Sequence, residues 1–329
     1  MRAGIIGAGL MGRVHTAAAK RAGATVVAVS DSDSERAKSL AASIGAPCET
    51  VEIARMTESG FVDVVHICTP PGQHAAPAEA ALRSRINVIC EKPIAQTSAE
   101  VEMLFALAKE SNVQLCPVHQ FPFQRGIQKI IDQASSLGTI RHLNAEICTA
   151  GGAGMSDLDR HQVALDILPH PLSLFALFTS GPLSEVDWKV SAVTYGELLV
   201  TGVNRNVGLS FLLSTLGRPT SNSLRVIGDA GTATANLFHG FSVIERGTVS
   251  RLTKLTRPFT TSASTLGNAA ANGVRRGLSA ETGFPGLREL VRRFYESIRG
   301  EGMPPISSDT TIDVSIARDR IISSIHPGS

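Results

Sequence analysis

The sequence predicts an α/β chain. An N-terminal Rossmann domain with a doubly wound parallel sheet is followed by an α+β domain built on a large, mostly antiparallel, open-faced sheet. Three observations carry this. A glycine-rich turn lies between an apolar run and a helix-like stretch at the very start of the chain. Short apolar runs then alternate with segments of helix length, the pattern of βαβ units. From "IRHLNAEICTAGG" onward alternating runs broken by Gly, Asn and Pro take over, as in antiparallel strands. A length of 329 residues suits two domains, expected at 1–120 and 121–329.

The first unit is "AGIIGAGLMGRVH": a strand at Ala3–Ile6, then Gly7, Gly9 and Gly12, then a helix over Leu10–Ala22. A G-x-G-x-x-G triplet carries little weight alone, but here strand and helix flank it as a dinucleotide site requires. Gly7 permits the tight turn, Gly9 lets the backbone approach a pyrophosphate, and Gly12 lets helix and sheet pack closely. Leu10 and Met11 open the helix, where unpaired N–H groups and the positive dipole end favour phosphate. The second strand, "TVVAVSD", ends at Asp31, the place for a ribose-binding acid, with Ser32 beside it. A carboxylate there accepts from ribose hydroxyls and repels a 2′-phosphate, and no adjacent arginine offsets the repulsion. NAD is therefore expected in preference to NADP. One residue of "SDSDSER" also suits a helix N-cap.

The βα rhythm continues through "VDVVHICT", "HAAPAEAALRS", "INVIC", "SAEVEMLFALAKES" and "VQLCPV". "CTPPGQH" (Thr69, Pro70, Pro71, His74) and "CEKPIA" (Glu91, Lys92) follow strand ends, where such sheets bind ligands. "HQFPFQRG" comes next, with His119 and Gln120 as substrate-side candidates and Phe121 and Phe123 as core.

Composition sets the bounds. A formal net charge of +2 with 18% charged residues offers nothing to recruit nucleic acid or an anionic membrane. The five cysteines show no metal-site spacing and read as reduced thiols. No signal-peptide pattern opens the chain and no apolar stretch suits a bilayer span, so a cytoplasmic protein is expected.

Together "GAGLMGRVH", "AVSDSDSERA", "HICTPPGQHAAPAEAAL" and "VICEKPIA" resemble, in order and spacing, the glucose–fructose oxidoreductase, inositol dehydrogenase and rhizopine-catabolism (Gfo/Idh/MocA) family. The resemblance is strongest through Ala95 and looser afterwards. It implies a Rossmann domain, then a mixed sheet whose open face forms the contact of a homodimer or homotetramer. It also implies that Lys92 lies beside the nicotinamide and the reacting carbinol, with Glu91 against the cofactor ribose and Pro93 fixing the turn. An ammonium there stabilises the alkoxide character that grows as hydride leaves.

By the same resemblance, Asp166 and His170 of "LDILPHPLSLF" are the second catalytic pair, His170 the base and Asp166 its orienting acid. The sequence departs from the family here. Leu168 replaces a glycine, Ser173 replaces an acid, and prolines bracket the histidine. Proline removes N–H donors and biases its predecessor away from helical dihedrals, so Leu168 and His170 are expected off the helix. A helix is expected to begin at the prolines and run through "LSLFALFTSG". No third ligand has suitable spacing, so no metal is expected.

Two segments read as loops. "AGGAGMSDLDRHQ" carries Asp157, Asp159, Arg160 and His161, either near substrate or on a solvated surface. Residues 256–286 are rich in small residues and read as a lid or an arm toward a neighbouring subunit. "VIGDAGTATANL" reads as a hairpin, and "GLRELVRRFYESIRG" as an amphipathic helix.

The expected function is an NAD-dependent oxidoreductase moving hydride between nicotinamide and a hydroxyl/ketone carbon of a sugar, polyol, sugar nucleotide or related metabolite. Two alternatives stay open: a catalytically inactive dinucleotide-binding regulator of the same fold, and NAD-dependent elimination or hydrolysis through transient oxidation.

Overall fold

The computed structural model describes residues 1–325 apart from 46, 59, 248, 249, 280 and 282, with backbone alone at 251–253. The chain forms two compact units. The first comprises Met1–His119 and Leu287–Ser315; the second comprises Gln120–Gly286 and the segment that begins at Ile316.

The first unit is a six-stranded parallel sheet: β1 (Arg2–Ile6), β2 (Thr25–Ser30), β3 (Glu49–Thr50), β4 (Val64–Ile67), β5 (Asn87–Cys90) and β6 (Leu115–Pro117). Its order is β3-β2-β1-β4-β5-β6. The chain reverses direction across the sheet between β1 and β4, the switch point where doubly wound sheets bind ligands. Helices α1 (Leu10–Arg21), α2 (Ser34–Ile44), α3 (Ile53–Met56), α4 (Ala75–Arg83) and α5 (Ser98–Glu110) connect the strands. Every residue of β4 is buried, as expected for a strand covered on both faces. The helix starts are set locally. Asp33 caps α2 by accepting from the N–H of Glu35 and Arg36, and Thr97 and Glu100 form a capping box on α5.

The second unit opens with α6 (Arg125–Asp132) and carries a seven-stranded sheet. Its strands are β7 (Ile140–Cys148), β8 (Lys189–Thr194), β9 (Glu197–Asn204), β10 (Val207–Ser214), β11 (Ser221–Gly228), β12 (Gly231–Asn236) and β13 (Phe241–Arg246). The order is β13-β12-β11-β7-β10-β9-β8; β7 and β10 run parallel and the other neighbours antiparallel. Period-2 alternation separates the faces. Leu198, Val200, Leu209, Phe211, Leu213, Leu224 and Val226 are buried, while Val193, Leu199, Val203 and Leu212 are exposed. Phe211 packs against Phe175 and Trp188, with ring centroids 6.0 and 6.3 Å apart. The hairpin of "VIGDAGTATANL" forms as β11–β12.

Three expectations are corrected. The segment with Asp157, Asp159, Arg160 and His161 is not a loop but the start of α7 (Asp157–Ile167), capped by Ser156. The helix at the prolines, α8 (Pro169–Phe175), is shorter than expected, and Leu168 keeps helical dihedrals (φ −47°, ψ −38°). Pro169 and Pro171 are its first and third residues, whose N–H groups would have no partner inside the helix. They therefore remove no helical hydrogen bond, and α7 passes almost directly into α8. Residues 256–286 are mostly α9 (Arg251–Leu278), a 28-residue helix with Pro258 inside it. Helices α10 (Leu287–Ile298) and α11 (Ser308–Ser323) follow.

Candidate functional site

The glycine turn between β1 and α1 is fixed by the protein's own packing at two positions and left open at the third. Gly7 has φ +96°, and a Cβ there would lie 2.6 Å from the Cys68 carbonyl carbon. A Cβ on Gly12 would lie 2.0 Å from the Gly7 oxygen. A Cβ on Gly9 would meet nothing within 4 Å. Gly9 is also the N-cap of α1; no side chain caps that helix, and its first turn holds no acid. A turn that keeps its free space on the outer side of Gly9, at an uncapped helix start, fits a pyrophosphate. Leu10 at this edge is exposed and Met11 half-buried.

Asp31, at the end of β2, straps this turn in place. Its carboxylate accepts from the Ala8 N–H at 2.6 Å and the Asp33 N–H at 2.8 Å. Burial works to raise its pKa, but these N–H groups and the Arg36 guanidinium prevail and hold it below the usual carboxylate value. The fold supplies the arginine that the local sequence lacks: Arg36 on α2 lies 3.3 Å from Asp31 and 3.2 Å from Asp33. Its charge is shared between those two carboxylates. Ser32 lies beside Asp31 in the chain.

The loops after β4 and β5 are braced to each other. The ring nitrogens of His74 lie 2.7 Å from the Pro93 oxygen and 2.7 Å from the Thr69 oxygen. His74 is buried, so it holds the Thr69–Pro70–Pro71 turn against the Glu91–Lys92–Pro93 turn from within.

Four residues behind these turns form a buried polar chain. Tyr295 Oη lies 2.6 Å from His66 Nε2, His66 Nδ1 lies 2.9 Å from His15 Nδ1, and His15 Nε2 lies 3.2 Å from Glu91 Oε1. One directed arrangement satisfies every group. The Tyr295 hydroxyl donates to His66, His66 donates to His15, and His15 donates to the Glu91 carboxylate. Burial acts to raise the Glu91 pKa, but the His15 hydrogen bond and the Lys92 charge outweigh it and keep Glu91 ionised. Burial, reinforced by His15, holds His66 well below the ordinary histidine value. His119, at the end of the first unit, is likewise pushed down to about 4 by burial and then by Lys92, with Glu91 opposing.

The sequence reading missed His15, His66 and Tyr295. A polar residue inside the apolar run "VVHICT" was the available signal for His66. Tyr295 lies 229 residues further along the chain, and nothing local marks it.

In the second unit, His170 is buried and stacks on Phe121, with centroids 4.4 Å apart and planes 22° apart. The Ser173 hydroxyl donates to the His170 carbonyl at 2.9 Å. Asp166 accepts from Gln162 Nε2 at 3.0 Å and lies within the field of the Arg318 guanidinium on α11, a neighbour the sequence reading also missed. The other candidates are engaged locally. Arg160 bonds Asp157 at 2.6 Å, Asp159 accepts from Ser156 Oγ at 2.7 Å, and His161 meets Tyr195 edge-on at 5.8 Å. Gln120 is buried.

Comparison with known proteins is consistent with this geometry. Residues 1–119 match the model of the Gfo/Idh/MocA oxidoreductase family, described as an NAD-binding Rossmann fold. The match to that family's NAD-binding model is confined to the N-terminal domain, where this chain is similar to it. UDP-N-acetylglucosamine 3-dehydrogenase of Acidithiobacillus ferrooxidans is 32% identical over 196 residues, 59% of each chain. Inositol 2-dehydrogenase 4 of Saccharopolyspora erythraea is 42% identical over 101 residues, 30% of each chain. The matched part thus spans less than two thirds of these relatives. The WlbA dehydrogenase of Bordetella pertussis, solved in complex with NADH and UDP-GlcNAcA, shares the fold: TM-score 0.78, 16% identity, 98% of this chain and 95% of that one. Among the described residues, no helix is long and apolar enough to cross a membrane.

The two glycines separate packing from binding. Gly12→Ala should lower the unfolding midpoint sharply, because backbone must move to admit the methyl. Gly9→Ala should leave stability within about 1 kcal/mol of wild type while weakening NADH binding. Equal stability losses in the two variants, read by thermal unfolding, would contradict the assignment.

The buried histidines set a pH response. A folded pKa below the unfolded value near ~6.5 means that the unfolded state binds more protons. The stability that His66 and His119 contribute is therefore complete above about pH 6.5 and is lost as pH falls, for His119 down to about 4. The melting temperature should drop between pH 7 and pH 5, and His119→Gln should make the drop shallower. An unchanged slope would place the acid sensitivity elsewhere.

Proposed function

We propose that the protein is an NAD-dependent oxidoreductase acting on a hydroxyl/ketone carbon of a sugar, polyol, sugar nucleotide or related metabolite. The observation that carries this reading is the cradle open at Gly9, with the braced Glu91–Lys92 turn two strands away across the sheet. The relatives named above as dehydrogenases of inositol and of a sugar nucleotide support the substrate class.

A bound NAD would supply the hydride acceptor for the carbinol carbon. The chain's own residues do the rest. The start of α1, at Gly9, Leu10, Met11 and Gly12, offers N–H groups to the pyrophosphate. Asp31 has acceptor capacity left beyond its two backbone partners and takes the ribose hydroxyls, with Ser32 beside it. A 2′-phosphate would meet that carboxylate, and Arg36 is already committed to Asp31 and Asp33, so NAD is preferred over NADP. Thr69, Pro70 and Pro71 wall the site, with His74 as their brace. Glu91 faces the ribose, its charge held by His15.

Lys92 brings a positive charge to the substrate oxygen and stabilises the negative charge that grows there as the C–H bond breaks. His170 takes the hydroxyl proton, so that C–O becomes C=O as hydride departs. Asp166 orients the imidazole and favours its protonated form after transfer. His119, Gln120, Asp157, Arg160 and His161 are the substrate-side groups; the Arg160–Asp157 pair must open for either residue to reach a ligand. The enzyme works in the cytoplasm, in keeping with five free cysteines, as a homodimer or homotetramer through the open sheet face bearing Val193 and Val203.

Turnover tests these roles. Lys92→Met and His170→Asn should each cut kcat by about 10²-fold or more with NADH affinity within a few-fold of wild type. The double variant should fall far short of the product of the two losses, as for groups acting in one step. Asp31→Ala should narrow the NAD/NADP preference. A fully active His170→Asn enzyme would move the base to His119 or His161, and tighter NADP than NAD binding by the wild type would overturn the role of Asp31.

A further inference from the structure

Helix α9 carries its polar side inward. The positions covered by the rest of the second unit are Thr261, Ser264, Asn268, Ala269, Asn272, Arg275, Arg276 and Ser279, spaced as one helical face. They are held by polar contacts. Thr261 and Arg257 bond Glu245 on β13, and Lys129 on α6 bonds Asn268. Asn272 and Arg276 bond the His239 carbonyl, and Arg275 pairs with Glu281.

The opposite face is apolar and open. Leu255 is 73% exposed, Phe259 77%, Leu266 72%, Val274 65% and Leu278 86%, with Ala263 and Ala270 also exposed between them. A surface helix ordinarily turns its apolar stripe toward its own core. This one presents the stripe along a helix about 42 Å long.

We propose that this stripe is a self-association surface on which the α9 helices of two copies of the chain pair antiparallel. The order of side chains points to a second copy. Reversing the helix about the Leu266–Gly267 bond sets Leu255 against Leu278, Phe259 against Val274 and Ala263 against Ala270. Leu266 then falls opposite Gly267, a side chain against a gap. Self-complementarity under a two-fold operation is what an isologous interface requires.

The exposed stripe itself carries no charged residue; of the five basic residues of the helix, Arg257 and Arg275 pair with Glu245 and Glu281 on their own body, and Arg276 bonds the His239 carbonyl. This contact is separate from the open sheet face and does not depend on the enzymatic reading.

The test uses the full chain. Leu266→Cys should form a disulfide-linked dimer on mild oxidation, absent from the wild type, because the dyad brings the two copies of residue 266 together. Phe259→Asp with Leu266→Asp should lower the solution mass by light scattering at least two-fold while the melting temperature and NADH binding stay at wild-type values. A wild type that is monomeric at tens of micromolar, or a double variant of unchanged mass together with no cross-link at residue 266, would overturn the proposal.

Discussion

The cofactor domain depends on one buried run of hydrogen bonds, from Tyr295 through His66 and His15 to Glu91. It ties α10, β4, α1 and the turn after β5 into one body at the switch point of the sheet. A carboxylate buried behind a ligand site would otherwise take up a proton. His15 and Lys92 prevent that, and a charged Glu91 in turn keeps the ammonium beside it in a defined field. Each link is satisfied by the next, so loss of any member leaves a buried polar group unpaired, which costs more than the bond itself contributes.

Two further contacts complete the cradle. Asp31 pulls the Ala8 amide toward β2, and His74 clamps the turns after β4 and β5 through their carbonyls. Both contacts act on the backbone of loops at the carboxyl ends of the strands. That leaves the open side of Gly9 and the uncapped start of α1 for the ligand.

Much of this was legible in the sequence because it is local. The three glycines, Asp31 and the Glu-Lys-Pro turn are short motifs whose meaning comes from an adjoining strand or helix. Their partners were not legible, since Arg36 reaches Asp31, and Tyr295 is linked to Glu91, only through the fold, and Arg318 comes near Asp166 in the same way. Pro169 and Pro171 misled in part. They suggested a bend away from helical geometry, but at the first and third positions of α8 they remove no hydrogen bond. Helix α9 was missed for a different reason. Pro258, three glycines and many Ser and Thr residues give it low intrinsic propensity, and its apolar period belongs to an outward face rather than to a core stripe.

Amide hydrogen exchange with and without NADH tests the central claim, that the braced turns at the sheet's switch point hold the cofactor. The account predicts slower exchange on NADH addition in residues 7–12, 68–74 and 91–93, with the strands of the second sheet unchanged. NADH binding that leaves those three segments at their unliganded exchange rates would contradict it.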